Sequence, residues 1–123
     1  MKKQSGKRGA PMQIVGIILH HSICPCINGK GYDFFVTKDS TVLLSPERAD
    51  PSFLHVCLEG DFSGGLPLKA SQKEQLFVVQ KLMGALSNRM GFNAGHIYPH
   101  TRTCPGEKFP WEELVISSPG GYH

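Results

Sequence analysis

The segment Gln13-Ile14-Val15-Gly16-Ile17-Ile18-Leu19 narrows the fold more than any other part of the chain. Its β-branched, apolar residues do not alternate with polar ones. That is the pattern of a strand covered on both faces inside an α/β sheet. The run stops abruptly at His20-His21-Ser22. Open α/β sheets carry their sites beyond such strand ends, so two imidazoles are expected on a rigid support where chemistry belongs.

The rest of the chain supplies partners for this strand. Tyr32 to Thr37 reads as a second strand, Lys38-Asp39-Ser40 as a turn and Thr41 to Leu44 as the returning strand of a hairpin. Phe53 to Glu59 reads as a fourth strand. Period-two alternation puts Phe53, His55, Cys57 and Glu59 on one face and Leu54, Val56 and Leu58 on the other. Ser71 and Glu74 form a capping box at the start of a helix. Leu76, Val79, Leu82, Met83, Leu86 and Met90 then recur at helical spacing as one apolar stripe, and Gly91 supplies the stop. Phe92 to Tyr98 is a short extended segment, Pro99 to Gly106 a polar loop, and Pro110 to Val115 a final short helix. This order predicts a single α/β domain with a central mixed β-sheet flanked by helices. Its boundaries are a flexible basic segment over 1–12, the domain over 13–117 and a tail over 118–123.

With 123 residues, 40% hydrophobic and 19% charged, the chain can bury a core without disulfide staples. The apolar stretch Ile14 to Leu19 is too short to insert in a membrane. Met1 to Met12 lacks the apolar run of a signal peptide, so synthesis in the cytoplasm is expected. The net charge of +3 favours acidic polymers weakly. A dense basic stripe or aromatic platform for nucleic acid is missing from the sequence. The cysteines Cys24, Cys26, Cys57 and Cys104 read as thiols or metal ligands.

The segment Gly95-His96-Ile97-Tyr98-Pro99-His100-Thr101-Arg102-Thr103-Cys104-Pro105-Gly106 offers chemistry. His96 and Cys104 are spaced H-x7-C, and imidazole with thiolate suits Zn²⁺, a borderline-soft ion. With His20 they make three protein ligands. Three ligands leave a tetrahedral position for water, the mark of a catalytic zinc. A structural zinc would take a fourth ligand, and His21, His100 and Cys24 are each available for that. His100 also qualifies as a partner that orients a ligand. His55 reads as a hydrogen-bonded sheet histidine and Cys57 as a small buried residue.

These motifs together resemble a known family. Ile17-Ile18-Leu19-His20-His21-Ser22 is similar to the opening motif of the N-acetylmuramoyl-L-alanine amidases of the peptidoglycan recognition protein superfamily, which includes the phage lysozyme-type zinc amidases. Gly31-Tyr32-Asp33-Phe34-Phe35-Val36 with Lys38-Asp39 resembles its hairpin. His55 through Phe62 resembles its next strand, and His96 through Gly106 its GHxxxxxTxCPG loop. Phe109-Pro110-Trp111 and Leu114 fit the helix that follows. The resemblance implies that His20, His96 and Cys104 are zinc ligands and that Tyr32 lies beside the metal. It puts Arg102 where members often carry a catalytic lysine. Arg102 keeps the charge but presents a planar fork. The segment between His20 and Tyr32 is shorter than usual, which implies a more open cleft. Cys57 stands where some members use a glutamate as general base. Glu59, two residues on and on the same face, is the candidate substitute.

The expected function is therefore a zinc-dependent hydrolase of peptidoglycan. It would cleave the amide between N-acetylmuramic acid and L-alanine, reaching the cell wall after release from the cytoplasm. The alternatives are a non-catalytic module that binds peptidoglycan or muropeptides and a structural zinc domain.

Overall fold

The computed structural model describes residues 13–23, 32–45 and 50–114. The basic segment over 1–12, the Cys24-Pro25-Cys26 loop, Gly31 and the tail over 118–123 lie outside these residues.

The apolar run forms β1, Gly16–His21, and the strand continues through both histidines. β2 is Phe34–Val36, β3 is Val42–Leu44, β4 is Phe53–Leu58 and β5 is Ile97–Pro99. They form one mixed sheet in the order β3-β2-β4-β1-β5. β1 is central and pairs in parallel with β4 and β5. β2 is parallel to β4 and antiparallel to β3. The C-terminal ends of β1, β2, β4 and β5 therefore share one edge of the sheet. His20-His21, Thr37, Glu59 and His100 all emerge there.

The turn between β2 and β3 is built by its own side chains. The Asp39 carboxylate accepts from the Thr37 hydroxyl and, at 3.2 Å, from the Thr41 N–H. Ser40 takes a positive φ of 69°, a conformation that such local hydrogen bonding supports.

The single α-helix of the described residues, α1, spans Ala70–Met90. Its start differs from the expected Ser71–Glu74 box by two residues. Lys69 is the N-cap, and its N–H donates to Gln72 Oε1 at 3.0 Å. Gln72 Nε2 also donates to the Asp61 carbonyl at 2.9 Å. That second anchor ties the helix start to the preceding loop, which the Ser71–Glu74 box would not do. The stop is as expected: Gly91 adopts φ 81°, and its N–H donates to the Ser87 carbonyl.

α1 lays Leu76, Val79, Met83 and Leu86 on one face of the sheet, against Ile17, Leu19, Val36, Leu54, Val56 and Leu58. Each fully buried aliphatic side chain contributes about 1.5–3 kcal/mol. The stripe departs from expectation at both edges: Leu82 is half-buried and Met90 is exposed. Gln75 is buried instead, at 1% exposure. Its Nε2 donates to the Val36 and Glu59 carbonyls at 3.1 and 3.0 Å. One polar side chain thus satisfies the carbonyls at the ends of β2 and β4.

The alternation expected in β4 holds. Leu54, Val56 and Leu58 enter the helix-side core, while Cys57 faces the opposite side. There Cys57 meets Cys104 in a second cluster, against which Tyr32 and Phe35 pack. The expected final helix is a short 3-10 turn, Trp111–Leu114, with Phe109 and Leu114 buried.

Candidate metal centre

The register of the sheet decides which side chains can meet. His20 pairs with Cys57 across β1 and β4, and Ile18 pairs with His55. Residues opposite one another in register point to the same face, so His20 and His55 are diagonal neighbours on the face away from α1. On the other flank, Leu19 pairs with Pro99, and the His100 N–H donates to the Leu19 carbonyl at 3.3 Å. His100 therefore emerges beside His20. Their ring centroids are 4.5 Å apart.

The loop after β5 folds back on itself. The N–H groups of His100 and Thr101 both donate to the Cys104 carbonyl, at 3.0 and 3.1 Å, and the Cys104 N–H donates to the Thr101 carbonyl at 3.2 Å. This tight turn carries the buried Cys104 thiol back over the sheet. Gly106 makes the next bend possible. It has φ 130°, and a Cβ there would lie 2.8 Å from the Phe62 carbonyl oxygen and the Ser63 Cα.

The result is a group of three potential ligands, His20, His100 and Cys104, whose donor atoms all lie within 4.8 Å of one another. Around a tetrahedral zinc with bonds of about 2.0–2.3 Å, ligand atoms sit roughly 3.3–3.8 Å apart, so the group would draw in by about 1 Å on binding. His20 is 3% exposed, and its Nδ1 is buried with no hydrogen-bond partner. A buried polar atom left unpaired is costly; a metal ion would satisfy this one. Two imidazoles and a thiol suit zinc. Burial lowers the His20 pKa to about 3, with further lowering by His55, His100 and His21. The ring is therefore neutral near pH 7, the form that ligates.

His96 is placed differently from the expectation. It precedes β5, its carbonyl accepts from the Ile17 N–H, and its exposed ring stacks on Tyr98. It lies level with Gly16 at the start of β1, four residues before His20. At about 3.3 Å per residue that is roughly 13 Å along the strand. A Cβ on Gly16 would meet the His96 carbonyl oxygen at 2.7 Å, so this close pairing depends on glycine. The structure thus brings His20 and Cys104 together with His100, and leaves His96 at the far end of β5.

The neighbours of the group have distinct positions. Tyr32 is half-buried, with its ring 5.3 Å from that of Phe35, against the Cys57–Cys104 pair. Arg102 stands in the ligand loop with its side chain 86% exposed, 3.6 Å from Glu107. Glu59 is turned to the hairpin, where its Oε1 accepts from the Lys38 N–H at 2.8 Å. His21 faces the α1 side, buried, and its Nδ1 accepts from the Phe62 N–H at 3.1 Å. Burial lowers its pKa, partly opposed by Asp61 and by a hydrogen bond with the Thr103 backbone. His21 thereby ties the loop at Phe62 to the loop that bears Cys104. Asp50, which no motif singles out, meets His55 Nε2 at 2.9 Å.

No family model and no curated protein matches the chain. Among solved structures it is similar to the N-acetylmuramoyl-L-alanine amidase LysC from Clostridium intestinale URNW. The TM-score is 0.61 and the identity 21%, covering 85% of this chain and 84% of that one. The chain shares the fold of that protein. The endolysine N-acetylmuramoyl-L-alanine amidase LysCS from the same organism gives a TM-score of 0.59 and 20% identity, covering 85% and 82%. Within this shared fold the potential ligands stand at the C-terminal strand edge, where α/β sheets carry their sites. No helix of the described residues is long and apolar enough to cross a membrane.

Proposed function

We propose that this chain is a zinc-dependent N-acetylmuramoyl-L-alanine amidase acting on peptidoglycan, with His20, His100 and Cys104 as the metal ligands. The observation that carries the reading is the grouping of His20, His100 and Cys104 within 4.8 Å, together with the buried, unpaired Nδ1 on the His20 ring. The fold shared with two amidases supports the reaction class.

Bound zinc would act as a Lewis acid and lower the pKa of a coordinated water toward about 7. The ligands' own contribution is rigidity: β1 holds His20, and the closed turn over 100–104 holds the other two. Tyr32, packed against the Cys57–Cys104 pair, is the candidate donor to steady charge developing on the lactyl carbonyl oxygen. One such donor is worth roughly 3 kcal/mol. Arg102, exposed on the ligand loop, is a cation available to the substrate. Glu59 is the weaker candidate for proton transfer, because its carboxylate already accepts from Lys38.

The test is release of new alanine amino groups from purified peptidoglycan by the zinc-loaded protein. Loss of release with a chelator and in Cys104→Ser is expected. Muropeptide binding with no release, at full zinc occupancy, would make the chain a binding module instead.

A further inference from the structure

His20 does not stand alone on its face of the sheet. Its Nε2 lies 2.7 Å from His55 Nδ1, and His55 Nε2 lies 2.9 Å from Asp50 Oδ2. The far end of this chain is anchored. Asp50 Oδ1 accepts from the N–H groups of Ser52 and Phe53 at 2.8 and 3.1 Å. The His55 backbone N–H donates to Asp33 Oδ2 at 2.7 Å.

With both imidazoles neutral, counting protons along the chain fixes each tautomer. An ionised carboxylate only accepts, so His55 Nε2 must carry a proton. A neutral imidazole has one, so His55 Nδ1 is bare and accepts. His20 Nε2 must then donate, and its single proton is spent there. Nδ1 of His20 is left as a lone pair, and it is the atom that is buried without a partner.

We infer that Asp50 and His55 form a positioning chain that sets the tautomer of His20 and commits its Nδ1 lone pair to a divalent metal ion shared with His100 and Cys104. Neither residue is catalytic; both act through His20. The choice of metal rests on the zinc reading above, whereas the tautomer does not.

Two measurements on the full chain test this. The first is the imidazole ¹⁵N spectrum of the metal-free protein, in which His20 should show a protonated Nε2 and an unprotonated Nδ1. A protonated Nδ1 overturns the inference. The second is Zn²⁺ affinity by competition with a chromophoric chelator. Asp50→Asn can offer His55 a donor and so reverse the proton order. This variant and His55→Ala should each bind zinc about 10–100-fold more weakly, the usual effect of losing a partner that orients a ligand. His55→Asn, which keeps an acceptor near the Nδ1 position, should recover most of that loss. Affinities within twofold of the parent for Asp50→Asn and His55→Ala would overturn the positioning role. If the parent itself takes no zinc, the metal reading fails, and the spectrum still decides the tautomer. That spectrum needs no variant to fold.

Discussion

Replacing His100 and His96 one at a time separates the two possible ligand sets. The structure makes the expected contrast large. His100 N–H binds the Leu19 carbonyl at 3.3 Å, its ring lies 4.5 Å from that of His20, and it belongs to the group spanning 4.8 Å with Cys104. Removing it takes away a ligand, which should cost more than the 10–100-fold seen when only a supporting partner is lost. His100→Ala should therefore weaken Zn²⁺ binding at least about 100-fold, or about 2.7 kcal/mol at 1.36 kcal/mol per tenfold. His96 is exposed and stands level with Gly16, roughly 13 Å back along β1 at 3.3 Å per residue. His96→Ala loses a ring contact with Tyr98 and a 3.3 Å approach to the Val15 carbonyl. Its effect should stay within about twofold on zinc affinity and about 0.5 kcal/mol on stability. The assay is competition titration of Zn²⁺ on both variants, with urea unfolding as the control. A tight His100→Ala and a weakened His96→Ala would refute the assignment and with it the β1–β5 register.

Three further expectations follow from single contacts. Gly106→Ala forces a side chain into φ 130° and within 2.8 Å of the Phe62 backbone; urea unfolding should show a loss of at least about 1–3 kcal/mol, the usual range for a strained backbone position. Gln75→Met keeps the volume but strips the Glu59 carbonyl of its donor, while the Val36 carbonyl keeps the Glu59 N–H at 2.9 Å; at about 1–3 kcal/mol for one unsatisfied group, unfolding should show a loss of roughly 1–3 kcal/mol, and a loss under about 0.5 would rule out this clamp. His20 and His21 both have pKa values lowered from 6.5, chiefly by burial, His20 to about 3. Between those limits the unfolded chain binds more protons than the folded one, so stability rises with pH there. The metal-free protein should hold its stability above pH 6.5 and lose it progressively toward pH 3, as urea midpoints across that range would record.

Much of this architecture is legible in the residues. The β-branched run before His20 marks the central strand because only a doubly covered strand tolerates it. The alternation from Phe53 to Leu58 separates the core face from the face of His55 and Cys57, since each pleat reverses the side chain. Gly91 marks the helix stop by its freedom to take a positive φ. Other features depend on register and tertiary partners. The H-x7-C spacing favours His96, but only the pairing of Leu19 with Pro99 brings His100 level with His20. Gln75 interrupts an apolar stripe, and its burial makes sense only once two strand-end carbonyls lie within its reach. The Ser71–Glu74 box loses to Lys69 and Gln72 because Gln72 also binds the Asp61 carbonyl. Asp50 carries no local signal at all. It matters through His55, and His55 matters because β4 lies beside β1.

The most direct test of the metal centre is X-ray absorption at the zinc edge of the loaded protein, in the parent and in Cys104→Ser. The zinc should show one sulfur at about 2.3 Å and two imidazole nitrogens at about 2.0–2.1 Å, with the fourth position held by solvent oxygen. The sulfur shell should vanish in the variant. A site with four protein ligands, or a sulfur shell that survives without Cys104, would contradict this assignment.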